Sequence, residues 1–287
     1  MERKTKQMRK RWVTAGAILV AIGLLGLKVP EFGKPSRTIE KTWPFQTGEL
    51  RELYVQSDYR ADVKFAVSEN GSNSVHLQGQ VADKMIEAVQ RTNLSDGKLS
   101  LELRRPGWNF GFLDIGSGRA KQEIVVTLAK GTKLENLAIH MDSGSLTLED
   151  AAADAVDITM DSGSVTLKRL SSGKLTLKSD SGSIEGSDIQ ADTTVKADSG
   201  SVKLERATGR MNLQADSGSI KLYKDDTADT EIHADSGSVY VHLPASFAGS
   251  FDLKSDSGSV NAPESKGETN DLVKVRADSG SIRVEQG

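Results

Sequence analysis

From residue 131 onward the chain alternates apolar and polar positions in short runs that recur at a nearly constant interval. Ile139-His140-Met141, Ile158-Thr159-Met160, Leu177-Lys178-Ser179 and Val195-Lys196-Ala197 each read apolar, polar, then small or Met. Leu213-Gln214-Ala215, Ile232-His233-Ala234, Leu253-Lys254-Ser255 and Val275-Arg276-Ala277 follow the same rule. A second alternating run comes a little later, as in Leu146-Thr147-Leu148, Val165-Thr166-Leu167, Val202-Lys203-Leu204, Ile220-Lys221-Leu222, Val239-Tyr240-Val241 and Ile282-Arg283-Val284. Period two marks strands with one buried face. Between the runs stands Asp-Ser-Gly-Ser, beginning at Asp142, Asp161, Asp180, Asp198, Asp216, Asp235, Asp256 and Asp278. The spacing of these starts is close to even and widens only over the last two intervals.

Each interval therefore predicts two short strands and two corners. One corner is the tetrad. The other varies, and the extra residues of the two longest intervals fall there, in 244–250 and 263–270. One unit buries four or five aliphatic side chains, too few to offset the ordering of about 19 residues. Stacked units share a core and strand hydrogen bonds, so the pattern predicts a single-chain β-solenoid (β-helix) of about eight rungs. At about 4.8 Å per rung it is a rod roughly 35–40 Å long. A β-propeller needs a period of about 40–50 residues, and the leucine frame of leucine-rich repeats is missing.

The tetrads read first as a structural turn ladder. Asp opens a turn by bonding a nearby backbone amide. Gly144, Gly163, Gly182, Gly200, Gly218, Gly237, Gly258 and Gly280 supply the positive φ that a type II turn requires. Three chemical readings are weaker. A calcium ladder has only one carboxylate per corner, against six to eight oxygen ligands, and lacks the nine-residue Gly-Gly-x-Gly-x-Asp period. Serine catalysis lacks Gly-x-Ser-x-Gly, and His140 and His233 lie rungs apart. Glycan cleavage by paired carboxylates needs environments that push two pKa values apart, which identical corners do not offer. No catalytic, cofactor or metal residue is assigned.

Residues 31–130 are less regular. Alternating pieces at 53–67, 75–81, 98–103, 124–128 and 134–139 read as strands, and 82–93 as a short helix with Met85, Ile86 and Val89 on one face. The region reads as an irregular N-terminal β cap over the first rung. Residues 104–119 set Trp108, Phe110 and Phe112 among glycines and arginines. These rings either fold over the open core or contact a partner, a glycan or the outer membrane leaflet. At the other end, residues 282–285 close the chain with an open strand edge. Tyr223, Tyr240, Phe247 and Phe251 are the aromatics of the repeats, and the two phenylalanines fit core or corner packing.

Composition adds a compartment. The chain has 287 residues, no cysteine and a net charge of −3. Disulfides, thiol chemistry and Cys-ligated metals are thereby excluded. Residues 1–11 carry +5, so the remainder carries −8, a poor match to nucleic acid. Residues 12–27, WVTAGAILVAIGLLGL, are uncharged and span roughly 24 Å as a helix. Snorkelling by Arg11 and Lys28 closes the gap to a bilayer core. Without an Ala-x-Ala-like site, an uncleaved signal anchor is favoured over a cleaved signal peptide. The charge step puts the tip in the cytoplasm and the body outside. The expected division is a basic tip at 1–11, a transmembrane helix at 12–28, a linker at 29–45, the N-terminal β region at 46–130 and the repeats at 131–287.

The repeated [Ile/Val/Leu]-x-[Ala/Ser/Met]-Asp-Ser-Gly-Ser-[Val/Ile/Leu] unit, with the anchor before it, resembles the bacterial putative-adhesin family. Those are β-solenoid proteins of the cell envelope, and the chain resembles a membrane-anchored member encoded among envelope-stress genes of Bacillus-type bacteria. The resemblance covers about residues 38–287. It implies an adhesion or scaffold role and supplies no catalytic or ligand residues. The expectation is thus a non-enzymatic, single-pass, extracytoplasmic solenoid contacting an envelope protein or polymer, with a glycan-binding or glycan-cleaving β-helix as the alternative.

Overall fold

The structure, a computed structural model, describes residues 36–104 and 121–287. The expected anchor at 12–28 and the rings of Trp108, Phe110 and Phe112 lie outside the described residues. Within them the chain is all β apart from helix Asp83–Arg91. No described helix is long and apolar enough to cross a membrane.

The strands stack as two faces of parallel ladders. On the face that leads into the tetrads, Leu134–Met141 pairs with residues 153–160, and residues 193–199 pair with Met211–Ser217, which pairs with Thr230–Ser236. On the other face Ser145–Glu149 pairs with 164–168, and Val202–Thr208 lies between 184–190 and Ile220–Lys224. The register matches like with like: Val195, Leu213 and Ile232 are direct neighbours. Extended pairing continues unbroken through both corners over Ala152–Ser199. Corner amides feed the ladder too: the Gly200 amide donates to the Ser217 carbonyl at 2.9 Å, and the Ile184 amide to Ser201 at 2.8 Å.

The core is the alternation turned inward. Ile139, Ile158, Leu177, Val195, Leu213, Ile232 and Val275 form one buried column. Beside the corner, Met141 and Met160 give way to Ala197, Ala215, Ala234 and Ala277, all buried.

At both ends the spatial order departs from the chain order. Near the N-terminus, Glu52–Ser57 pairs with both Lys98–Leu103 and Leu134–Met141, and Arg60–Ser68 pairs with both Lys121–Ala129 and Ser145–Glu149. Of these two passes of the chain, the earlier is the inner one. Near the C-terminus, Leu272–Ser279 lies between Thr230–Ser236 and Ser250–Ser257, and Ile282–Gln286 between Val239–Leu243 and Val260–Asn261. The expected open edge at 282–285 is thus corrected: the edge is Ser250–Ser257 with Val260–Asn261. Burial follows the order. Val273, Val275, Ala277, Ile282 and Val284 are at most 3% exposed, whereas Phe251 and Leu253 are only half-buried and Val260 is 45% exposed. The two-sided position buries its inward aliphatics fully, and the edge leaves its own partly in solvent.

The crossover also explains the two long intervals. Residues 244–249 carry the chain outward past the position of one rung, and 262–271 bring it back to fill that position. The two loops hold each other: the Glu268 amide donates to the Ala248 carbonyl at 2.8 Å and the Gly267 amide to Gly249 at 3.1 Å. Phe247 is buried beneath them and stacks on Phe251 at 5.3 Å. The extra residues are a bridge between rungs.

The N-terminal region is more regular than expected, since two of its segments are rungs in register with the repeats. Ser36–Phe45, expected within a linker, is a strand antiparallel to Asn73–Ala82 that buries Ile39, Trp43 and Phe45. Its inward alternation includes Lys41, a charge that hides the pattern in the sequence. The Lys41 side chain is fully buried, and its Nζ donates to the carbonyls of Val89, Gln90 and Thr92 at 2.9, 2.7 and 2.6 Å. It thereby caps the C-terminus of the one helix, where a cation is favoured. Burial pushes its pKa down. Met85, Ile86 and Val89 of that helix are buried, on the expected face.

Candidate binding face

The tetrad edge is built by glycine. Every tetrad glycine has φ between +101° and +156°, mostly beyond the roughly +80° of a type II turn. The tighter constraint comes from the next rung. A Cβ on Gly182, Gly200, Gly218 or Gly237 would lie 1.6–1.7 Å from the carbonyl oxygen of the glycine stacked on it. Gly280 meets Gly237 and Gly258 meets Gly280 in the same way, at 1.9 and 2.0 Å.

The aspartates form a column along this edge. Register adds a member the sequence did not reveal: Ser57 pairs with Met141, which puts Asp58 beside Asp142. Arg104, one rung further out, closes the column, with Nη2 2.8 Å from Asp142 Oδ2. His140 Nε2 lies 3.0 Å from Asp142 Oδ1, and His233 pairs likewise with Asp235 at 2.9 Å. Burial pushes the Asp142 carboxyl up, but the Asp58 hydrogen bond, Arg104 and His140 outweigh it and hold it below the usual range. Ligand atoms of His140, Asp142 and Asp161 come within 4.8 Å of one another. A guanidinium already neutralises this group, and three donors fall short of a calcium shell.

The opposite corner is not merely variable. Asp150, Arg169, Asp188 and Arg206 stack at the repeat period with φ of 51–58°, unusual for non-glycine residues. Their charges alternate. Arg169 grips Asp150 through Nε at 2.6 Å and Nη2 at 3.0 Å, and Arg206 grips Asp188 at 2.5 and 2.7 Å. Arg210 holds Asp192 with Nε and Nη2 both on Oδ2, at 3.0 and 2.6 Å. Beside this corner a groove of about 510 Å³ crosses successive rungs, lined among others by Lys174, Asp192, Arg210, Asp229 and Lys274. Most of its charges are spent on one another: Arg210–Asp192 at 2.6 Å, Lys274–Glu231 at 2.8 Å, and the Leu272 amide on Asp229 at 2.9 Å.

A different surface has unspent apolar area. On the outer side of the second face, register sets Lys221, Tyr240 and Arg283 in one row and Tyr223, His242 and Glu285 in the next. The Tyr223 ring lies 5.4 Å from Tyr240 and 5.9 Å from His242, tilted to both. All three rings are half-buried, with their outer sides in solvent. The Tyr240 hydroxyl donates to Glu285 Oε2 at 2.5 Å, and Arg283 pairs with the other oxygen. That hydrogen bond pushes the Tyr240 pKa up to about 12 and, with Arg283, holds the Glu285 carboxyl below its usual range. The face is therefore a ring platform locked from one side by a carboxylate and rimmed by Lys221, Arg283 and the Lys203–Glu205 pair at 2.7 Å. Sequence reading found the two tyrosines but not this face, because Glu285 reaches Tyr240 only through the permuted rung order.

Comparison with known proteins adds a family. The model of the Toastrack DUF4097 family matches residues 50–285. None of the curated proteins matches the chain. Among solved structures, a putative cell adhesion protein from Clostridium sporogenes is 11% identical over 86% of this chain and 99% of that one, with a TM-score of 0.33. A putative adhesin from Bacteroides fragilis is 12% identical over 90% and 100%, with a TM-score of 0.45. A putative lipid binding protein from Parabacteroides distasonis is 18% identical over 85% and 96%, with a TM-score of 0.46.

Proposed function

The chain belongs to the Toastrack DUF4097 family, a putative-adhesin family, and from that premise we propose a non-enzymatic, membrane-anchored scaffold that holds an envelope polymer outside the cell. The anchor is residues 12–28, oriented by the basic tip at 1–11, and the rod of about eight tetrad rungs stands in the extracytoplasmic space. The observation that carries the binding role is the platform of Tyr223, Tyr240 and His242 on adjacent rungs. Ring faces take the C–H faces of sugars, and the rim of Lys221, Arg283 and Glu205 supplies hydrogen bonds. Glycan cleavage is the weaker reading. A general acid needs a raised carboxyl pKa, and Glu285 is driven the other way.

The test uses the full chain in mild detergent, sedimented with purified cell wall and, separately, with membrane-lipid vesicles. The wall is expected to retain it. Tyr223→Ala with Tyr240→Ala should weaken retention roughly tenfold or more, in the range of lost aromatic anchors, with the melting temperature little changed. Retention that survives the double substitution removes the platform as the site. Retention by vesicles but not by wall removes the polymer reading.

A further inference from the structure

The two ends of the rod are unlike. Helix Asp83–Arg91 packs against Ser36–Phe45, Asn73–Ala82 and Lys98–Leu103 and covers the N-terminal end. At the other end, Ser250–Ser257 is paired on one side, with Leu272–Ser279; no described strand pairs its outer side, where the Phe251 amide donates to the Ser265 hydroxyl at 2.9 Å. Strand edges are commonly guarded by inward-pointing charges. Here the inward positions are Phe251, Leu253 and Ser255, and the first two are left half-exposed. Val260, on the companion edge, is 45% exposed.

The outward charges of this edge complement themselves. In an antiparallel pair centred on Leu253, Asp252 falls opposite Lys254 of the second copy, and Lys254 opposite Asp252. Phe251 falls opposite Ser255, and the inward side chains of both copies stay on one side, so the two cores join. Both charges have partners within the chain, Arg276 at 2.5 Å and Asp256 at 2.8 Å, and in the row Glu231, Lys274, Asp252 the second copy's Lys254 continues an alternation of sign. The edge of one copy meets the same edge of the other, residue for residue. The contact is therefore isologous and closed. We propose that two copies of this chain pair end to end through the strand edge Ser250–Ser257, antiparallel and in register at Leu253, the Phe251 amide exchanging the Ser265 hydroxyl for the Ser255 carbonyl of the second copy.

The chain has no cysteine, so Leu253→Cys installs a single thiol at the two-fold axis. In the full chain in detergent, mild oxidation should give a disulfide-linked dimer, and Ser255→Cys, which faces Phe251, should give at least tenfold less. Adding Lys254→Asp should abolish the Leu253→Cys product, and adding Asp252→Lys to that variant should restore it. Light scattering of the unsubstituted chain and of Lys254→Asp reads the same contact without a thiol: a dimer for the first and a monomer for the second. A monomer at all concentrations for the unsubstituted chain, equal cross-linking at 253 and 255, or no response to Lys254→Asp overturns the proposal.

Discussion

One methyl group is a sharp probe of the tetrad corner. In Gly218→Ala the new Cβ sits 1.6 Å from the Gly200 carbonyl oxygen, at φ +135°. Neither backbone can yield without breaking the ladder on both sides, so the expected loss is about 3–5 kcal/mol, the range of severe backbone and packing faults. Gly144→Ala is the control. Its nearest contact is the Tyr59 carbonyl carbon at 3.1 Å, because the rung beneath carries Tyr59 rather than glycine. There the φ of +101° is the main cost, and about 1–2 kcal/mol is expected. Denaturant unfolding of both variants reads the difference; equal losses would mean that turn conformation alone selects glycine. The sequence shows a glycine at every corner, but the cause lies in a neighbour a whole repeat away along the chain.

Between elements, the alternating corner is where charge matters. Asp150, Arg169, Asp188 and Arg206 put each cation beside an anion of the next rung, and Arg169 answers electrostatically to both Asp150 and Asp188. Exposed pairs are individually worth little, so Arg169→Ala should lower the melting temperature only slightly. Arg169→Asp stacks three carboxylates about 5 Å apart and should lower it clearly more, with the excess shrinking in 1 M salt, where screening acts within about 3 Å. The pH dependence has a definite sign. Hydrogen bonds from Arg169, Arg206 and Arg210 hold Asp150, Asp188 and Asp192 below the usual carboxylate pKa. Their contribution is complete above about pH 4 and is lost as pH falls through the lowered values. Thermal melts at stepped pH and salt check both statements; a salt-independent excess for Arg169→Asp would mean that charge repulsion is not its cause. The opposite signs at 150, 169, 188 and 206 are visible in the sequence once the period is known. They go unnoticed because the tetrad, being uniform, draws the alignment.

For the whole molecule, the strands, the inward columns and the solenoid-like stacking follow from period-two alternation repeated at a fixed interval. The order of the rungs does not. Units with the same inward profile and register are nearly interchangeable along a stack, so a repeat pattern specifies what stacks without specifying next to what. The only sequence trace of the permutation is the greater length of the last two intervals, which reads equally well as loop insertion. The platform at Tyr240 shares this limit, since Glu285 is distant from it along the chain and meets it only because Ile282–Gln286 sits in the interior. The order has a consequence for local opening. A solenoid built in chain order frays from its last rung. Here Val273–Ala277 lies between two strands, whereas Ser250–Ser257 has one neighbour. Amides of 273–277 should therefore exchange with deuterium more slowly than those of 251–255, although they lie closer to the C-terminus. Under end-to-end pairing the protection of 251–255 should rise with protein concentration, while that of 273–277 changes little. Peptide-resolved exchange at low concentration measures the first point. Faster exchange at 273–277 than at 251–255 would require the rungs to follow chain order.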